Sequence, residues 1–195
     1  MEIIEIEDFL PQSLQDHIES ILLDSNFDWH YITDVTTEST LSQYKQPGFQ
    51  NTPFLNGVPH NKDYDFFSFM SPMILDYCEN KKLSLSRIRI GLNVPSVNNT
   101  DTEYNSPHVD FNKFTMQEFT DNVVALYYVN NSEGDTFIFN EKIESNMYTI
   151  KKRISPKKGK LVLFDGNHYH SSSPAKNSNI RLVISFNYYD FSRKI

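Results

Sequence analysis

The first eighty residues alternate between short apolar groups and long polar stretches. Ile3 to Ile6 predicts a short strand. Leu14, Ile18, Ile21 and Leu22 fall at i, i+4, i+7 and i+8, the stripe of an amphipathic helix opened by Pro11. Residues 31 to 63 are rich in Thr, Ser, Gln, Asn, Pro and Gly, which predicts a long irregular segment. A second helix is expected from Ser71-Pro72 to about Asn80, with Ser as N-cap and Pro at the first helical position. From Leu83 onward the hydrophobic period becomes two. Strands are predicted at Ser86 to Val94, Ser106 to Asp110, Asn122 to Asn130, Asp135 to Asn140, Met147 to Ile150, Lys160 to Asp165 and Ile180 to Tyr189. Turn residues separate several of them, as in Asn131-Ser132-Glu133-Gly134 and Pro156-Lys157-Lys158-Gly159. Seven short strands at this spacing indicate a sandwich or barrel. The expected organisation is one domain over 1–195, with helices and loops over 1–82 covering a β core over 83–195.

Composition supports the β reading. Among 195 residues 14% are aromatic, whereas alanine occurs only at 125 and 175. Ala favours helices, and Phe and Tyr favour strands. The formal charge is −7, from 18 basic and 25 acidic residues, a balance that disfavours a nucleic-acid partner. The basic stretch from Lys142 to Lys160 is expected to be a solvated face. Met1 to Phe9 carries four acidic residues and no basic n-region, so it does not read as a secretory signal. No run approaches the roughly 20 apolar residues of a membrane span. An intracellular protein without a membrane partner is expected. Cys78 is the only cysteine, which excludes an intrachain disulfide.

Three short segments carry candidate chemistry. In His108-Val109-Asp110, positions i and i+2 of a strand put an imidazole and a carboxylate on one face, as a metal ligand pair requires. In Gly159-Lys160-Leu161-Val162-Leu163-Phe164-Asp165-Gly166-Asn167-His168-Tyr169-His170, an apolar strand ends in a turn that delivers a histidine. Two His and one carboxylate form the facial triad of non-haem Fe(II) sites, although the same ligand types also suit zinc. Arg181 lies on a strand whose one face is Leu182, Ile184, Phe186 and Tyr188. Its own face continues through Val183, Ser185 and Asn187, so Arg181 is a candidate anion site, its planar fork being suited to a carboxylate.

The order His-x-Asp, Tyr-Tyr-Val-Asn, Gly-Asp-Thr, Gly-Lys-Leu-Val-Leu-Phe, His, Arg resembles the 2-oxoglutarate- and Fe(II)-dependent dioxygenases over roughly residues 86 to 190. It looks closest to the prolyl-4-hydroxylase-like branch, which includes small phage and microbial members. The resemblance implies a mainly β fold with a double-stranded β-helix (jelly-roll or cupin-like) core, its N-terminal helices packed on the outer face of one sheet. It implies Fe(II), 2-oxoglutarate and O2 as cofactors, with ascorbate as reductant in vitro. The reaction implied is hydroxylation of a C–H bond in a protein residue, free amino acid or other small molecule, with release of succinate and CO2. Carried over by position, His108, Asp110 and His170 would bind the metal and Arg181 the far carboxylate of 2-oxoglutarate. His170 is preferred to His168 because it lies 11 residues before Arg181 in a Tyr-His-Ser-Ser-Ser-Pro context. Tyr128 would place a phenol on the same carboxylate. Asn93 would meet the other end of the cosubstrate, and Thr136 and Ser185 would line the pocket.

Two other readings of the same residues stay open: a cupin-like metal-dependent enzyme without 2-oxoglutarate, and a non-catalytic jelly-roll module. Specificity is expected on the loops 31 to 63, Pro95 to Pro107 and Asn112 to Asp121. None of these carries a readable substrate signature.

Overall fold

The structure is a computed structural model, and it describes residues 1–35, 46–80, 82–95, 104–110, 121–173, 175 and 180–190. Its strands are β1 (Ile4–Ile6), β2 (His30–Ile32), β3 (Gly48–Leu55), β4 (Val58–Pro59), β5 (Ser84–Asn93), β6 (Asn122–Tyr128), β7 (Thr136–Phe139), β8 (Ile150–Ile154), β9 (Leu161–Asp165), β10 (His170–Ser172) and β11 (Arg181–Tyr189). The helices are α1 (Gln12–Leu22), α2 (Tyr64–Phe67) and α3 (Met70–Leu75). Eight strands form one sheet in the order β1-β9-β6-β11-β5-β3-β2, with β4 beside β3, and the second sheet is β10-β7-β8. All strand pairings are antiparallel. This is the mainly β, double-stranded β-helix arrangement expected from the sequence. Among the described residues no helix is long and apolar enough to cross a membrane.

The period of two divides the large sheet into two chemically different faces. Ile88, Ile90, Ala125, Tyr127, Leu161, Leu163, Leu182, Ile184, Phe186 and Tyr188 form the outer face, packed with Ile18, Leu22, Phe67, Met70 and Ile74 of the helical cover. The opposite face buries Val124, Leu126, Tyr128, Val162, Phe164 and Val183 together with Ile138 and Ile154 of the small sheet. Arg181, Ser185 and Asn187 share that inner face, so the polar side chains of β11 are enclosed between the sheets.

Helix α1 turns Gln15, Ile18 and Leu22 inward and leaves Leu14 exposed. Gln15 is buried because its amide donates to the Leu10 carbonyl at 2.8 Å. It also lies against the turn before β9. There Gly159 adopts φ +81°, and a Cβ would fall 2.4 Å from Gln15 Oε1, so only glycine fits. The second predicted helix starts earlier and ends sooner than the sequence pattern indicates. Ser71 and Pro72 lie inside its first turn, where the missing proline N–H has no intrahelical partner to lose.

Three other expectations are corrected. The polar stretch 31 to 63 contains β3, an eight-residue strand paired with β5. Its Pro53 reads as a strand breaker but falls where the register shifts between Asn51 and Phe54, a position proline tolerates. Residues around His108 form no strand; Pro107 cannot donate to a ladder, and one antiparallel bridge joins His108 to His170. The strand expected at Met147 to Ile150 runs instead from Ile150 to Ile154. It is a sheet edge lined with Lys151, Lys152 and Arg153, which hide the hydrophobic alternation. Residues 36–45, 96–103 and 111–120 of the expected specificity loops lie outside the described residues.

The basic stretch is not a free patch. Lys152 and Lys160 pair with Glu5 at 3.0 and 3.3 Å, Lys157 with Glu7 at 2.8 Å, Lys158 with Asp16 and Glu19, and Arg153 with Asp135. Each exposed pair contributes at most about 1 kcal/mol. Together they tie the acidic N-terminal segment to the sheet on which β1 pairs β9.

Candidate active site

His108 and Asp110 come from the segment after β5, and His170 opens β10 in the small sheet. The bridge joining His108 and His170 uses both backbone bonds, at 3.0 and 2.8 Å, and holds the two rings 4.7 Å apart between centroids. Asp110 Oδ1 lies 4.0 Å from His108 Nε2 and 3.9 Å from His170 Nε2, and all three donor atoms fall within 4.8 Å of one another. Protein–metal bonds of about 2.0–2.2 Å let one ion bridge such gaps. Both Nδ1 atoms face backbone carbonyls: His108 that of Ser106 and His170 that of His168, each at 3.2 Å. A carbonyl only accepts, so the proton sits on Nδ1 and the Nε2 lone pairs face Asp110. Metal-binding histidines use this arrangement, and the three residues therefore fit a divalent ion.

Asp110 is held as a carboxylate. Burial alone would raise its pKa, but the Arg87 charge, the two imidazoles and a hydrogen bond from Asn187 hold it well below the usual carboxylate range. Arg87 lies 2.9 Å from Oδ1, an ion pair rather than an aligned hydrogen bond. Asn187 bridges the two, accepting from Arg87 Nε at 2.7 Å and donating to Asp110 Oδ2 at 2.9 Å. The Ser185 hydroxyl stands 3.5 Å from the same oxygen. Burial and the neighbouring His170 push His108 down to about 4, so its imidazole is neutral near pH 7.

Arg181 sits farther along the same inner face. Its Nε donates to the Gly134 carbonyl at 2.8 Å, and one terminal nitrogen donates to Thr136 Oγ1 at 2.9 Å. The Tyr128 hydroxyl also donates to Thr136 Oγ1, at 2.7 Å, and the Tyr128 ring lies 5.6 Å from the guanidinium carbon. Burial pulls the Arg181 pKa down, while Tyr128 opposes that shift. Triad and arginine open into one cleft, lined also by Arg89, Gly91, Asn93, Thr136, Val183 and Ser185.

Residues 95–189 match the 2OG-Fe(II) oxygenase superfamily. Over these 95 residues, a little under half of its length, the chain is similar to that superfamily. It is an oxidoreductase whose cofactors are Fe(II) and 2-oxoglutarate. No curated protein sequence matches it. Its fold is that of a Burkholderia pseudomallei oxidoreductase of the 2OG-Fe(II) oxygenase family, with a TM-score of 0.69 at 8% identity over 99% of this chain and 89% of that one. It is also similar to a viral collagen prolyl hydroxylase of Paramecium bursaria chlorella virus-1 in its 2OG complex, with a TM-score of 0.58 at 16% identity over 97% and 96%. A prolyl hydroxylase of Trichoplax adhaerens, in complex with a hypoxia inducible factor peptide fragment, gives a TM-score of 0.64 at 15% identity over 98% and 84%.

The oxygenase brings His108, Asp110, His170, Arg181, Asn93, Thr136 and Ser185 to one cleft. It does not bring His168 there: that ring contacts Lys151 Nζ at 2.9 Å, and only the His168 carbonyl serves the site, through His170. The Tyr128 and Tyr169 side chains are not among the residues that line the cleft. Tyr128, expected from the sequence to meet the cosubstrate carboxylate, donates its hydroxyl to Thr136 and lies beside Arg181. Arg87, Arg89 and the amide of Asn187 join the site in addition to the residues expected from the sequence. The available signal was the period of two on β5, which puts Arg87 and Arg89 on one face and Ile88 and Ile90 on the other.

Gly134 is a sharp constraint on this oxygenase. A Cβ there would lie 2.8 Å from Arg181 Cδ and 3.2 Å from the Ser173 carbonyl. Gly134→Ala must therefore displace Arg181. The expected outcome is a rise in the 2-oxoglutarate Kd of roughly ten- to a hundredfold, with Mn(II) affinity unchanged, read by anaerobic titration of each ligand.

Proposed function

We propose that residues 1–195 form a single hydroxylase domain of the prolyl-4-hydroxylase-like kind, acting on a C–H bond of a peptide residue, free amino acid or other small molecule. The observation that carries this reading is the meeting, in one cleft between the two sheets, of a His-Asp-His triad and a buried arginine. His108, Asp110 and His170 would hold the iron through two Nε2 atoms and one carboxylate oxygen. Arg181, with Thr136, would receive the distal carboxylate of 2-oxoglutarate. Bound iron, 2-oxoglutarate and O2 supply an oxidant able to hydroxylate an unactivated C–H bond, with release of succinate and CO2.

The chain's own residues do the rest. His108, Asp110 and His170, if they held a metal, would leave its other positions free for cosubstrate and O2. Thr136 Oγ1 accepts from both Tyr128 and Arg181, which leaves its own O–H to donate to a ligand. Val183 and Leu126 supply the apolar part of the lining and limit water near the metal. The jelly-roll likeness to prolyl hydroxylases supports a peptide or amino-acid substrate. The test is binding and turnover: wild-type protein with Mn(II) should bind 2-oxoglutarate under argon, and with Fe(II), ascorbate and air should release succinate. Protein that binds metal but not 2-oxoglutarate would be a metal-dependent enzyme of another kind.

A further inference from the structure

Arg89 is a cation of the cleft that makes no ion pair with the triad. On β5 the inward-facing positions are Arg87, Arg89, Gly91 and Asn93. Their partners across β11 are Asn187, Ser185, Val183 and Arg181 in that order. Arg87 and Asn187 serve Asp110, and Asn93 lies beside Arg181. Arg89 is half-buried and lines the cleft. One terminal nitrogen donates to the Val35 carbonyl at 3.2 Å, while its buried Nε has no hydrogen-bond partner. Among the described residues no carboxylate lies at ion-pair distance from it. A buried donor without an acceptor is costly to keep unless a ligand supplies one.

Charge and position point to the same kind of ligand. A divalent metal and the 2-oxoglutarate dianion cancel each other, which leaves three arginines facing one aspartate. Arg181 stands opposite Asn93, and Arg89 is four positions from Asn93, about 13 Å along the strand. The two arginines thus stand at different levels of one inward-facing surface of the cleft. Arg89 is at the Asp110 end, since its strand partner Ser185 is the residue whose hydroxyl reaches toward Asp110. A reacting C–H bond must also approach the metal. Gly91 adds no side chain between the arginines, and a Cβ there would rest 3.7 Å from Val183 Cγ1.

Resting on the hydroxylase reading above, we propose that Arg89 binds a carboxylate of the primary substrate beside the metal. The oxygenase then takes a small carboxylic acid of the amino-acid type, the α-carboxylate seated on Arg89, in preference to a neutral peptide segment. A guanidinium can donate to both oxygens of such a group.

The test uses full-length protein and three sets of probes: free L-amino acids, their C-terminal amides, and end-capped tripeptides carrying Asp or Glu. Succinate release above the substrate-free level and a product heavier by one oxygen are read in air. Binding to the Mn(II)- and 2-oxoglutarate-loaded protein is read by calorimetry under argon. At least one free acid should bind and stimulate, and its amide should not. In Arg89→Gln that acid's KM should rise on the order of 30-fold, while 2-oxoglutarate binds with wild-type affinity. Arg89→Lys, which keeps the cation, should recover part of the loss and guards against a folding defect, as does a thermal melt of each variant. The proposal is overturned by amides serving as well as acids, by capped acidic peptides being the sole substrates, or by no acid either binding or stimulating. It is also overturned by weakened 2-oxoglutarate binding in Arg89→Gln, which would place Arg89 on the cosubstrate. Wild-type protein that fails to bind 2-oxoglutarate would instead refute the hydroxylase reading itself.

Discussion

Asp110→Ala is expected to bring succinate release down to the metal-free background. Asp110 is the one anionic member of the triad, and what remains is two imidazoles in a cleft that also holds Arg87, Arg89 and Arg181. A dication is then repelled where it was attracted. Loss of an outer-shell partner alone typically costs 10–100-fold in metal affinity, so loss of the carboxylate itself should cost more than about 100-fold. The substitution also leaves the Asn187 amide and the partly exposed Arg87 without their acceptor, a destabilisation of about 1–3 kcal/mol. Asp110→Asn separates the two effects. Its amide oxygen can still accept a hydrogen bond, so the melting temperature should stay near wild type, yet metal affinity should fall with the lost charge. Mn(II) binding followed by electron paramagnetic resonance, with succinate assayed in parallel, checks both. Wild-type succinate release in Asp110→Ala would remove the triad from the reaction.

Arg181→Gln should act at the other end of the cleft. A buried charge pair that loses one partner costs about 2–5 kcal/mol, a rise in the 2-oxoglutarate Kd of roughly 30- to several-thousand-fold. Mn(II) affinity should be unchanged, because no triad residue contacts the guanidinium. Arg181→Lys keeps the charge but loses the fork that holds Gly134 and Thr136 together, and should fall between the two. Titration of 2-oxoglutarate into metal-loaded protein under argon reads these differences directly. Unchanged affinity in Arg181→Gln would place the cosubstrate elsewhere.

Much of the site could be read from local pattern because its parts lie on strands of clear period. On β11, Leu182, Ile184, Phe186 and Tyr188 alternate with Arg181, Val183, Ser185 and Asn187, and the structure separates these sets onto the two faces of the large sheet. His108 and Asp110 converge although they form no strand, because the single bridge to His170 fixes the backbone. Parity could not separate His168 from His170, since both precede Arg181 by an odd number of residues. The turn after β9 decides it by directing one ring to Lys151 and the other to Asp110. β3 is not legible in the sequence because Gly, Gln, Asn, Thr and Pro interrupt its apolar positions; pairing with β2, β4 and β5 makes it a strand.

What the sequence by itself determined is the inventory and its facing: a β core, a triad of ligand types in order, and an arginine on an inward face. Short-range alternation encodes these things, and alternation survives folding. Only the tertiary structure decided who supports whom. Arg87 and Asn187, one hundred residues apart, meet at Asp110 because β5 and β11 pair in one register. Tyr128 withdraws behind Thr136, and Gly134 makes room for Arg181, because two sheets close on each other. Arg89 is left facing the cleft for the same reason. Strand register and sheet closure join residues distant in the chain, and no local pattern carries that information.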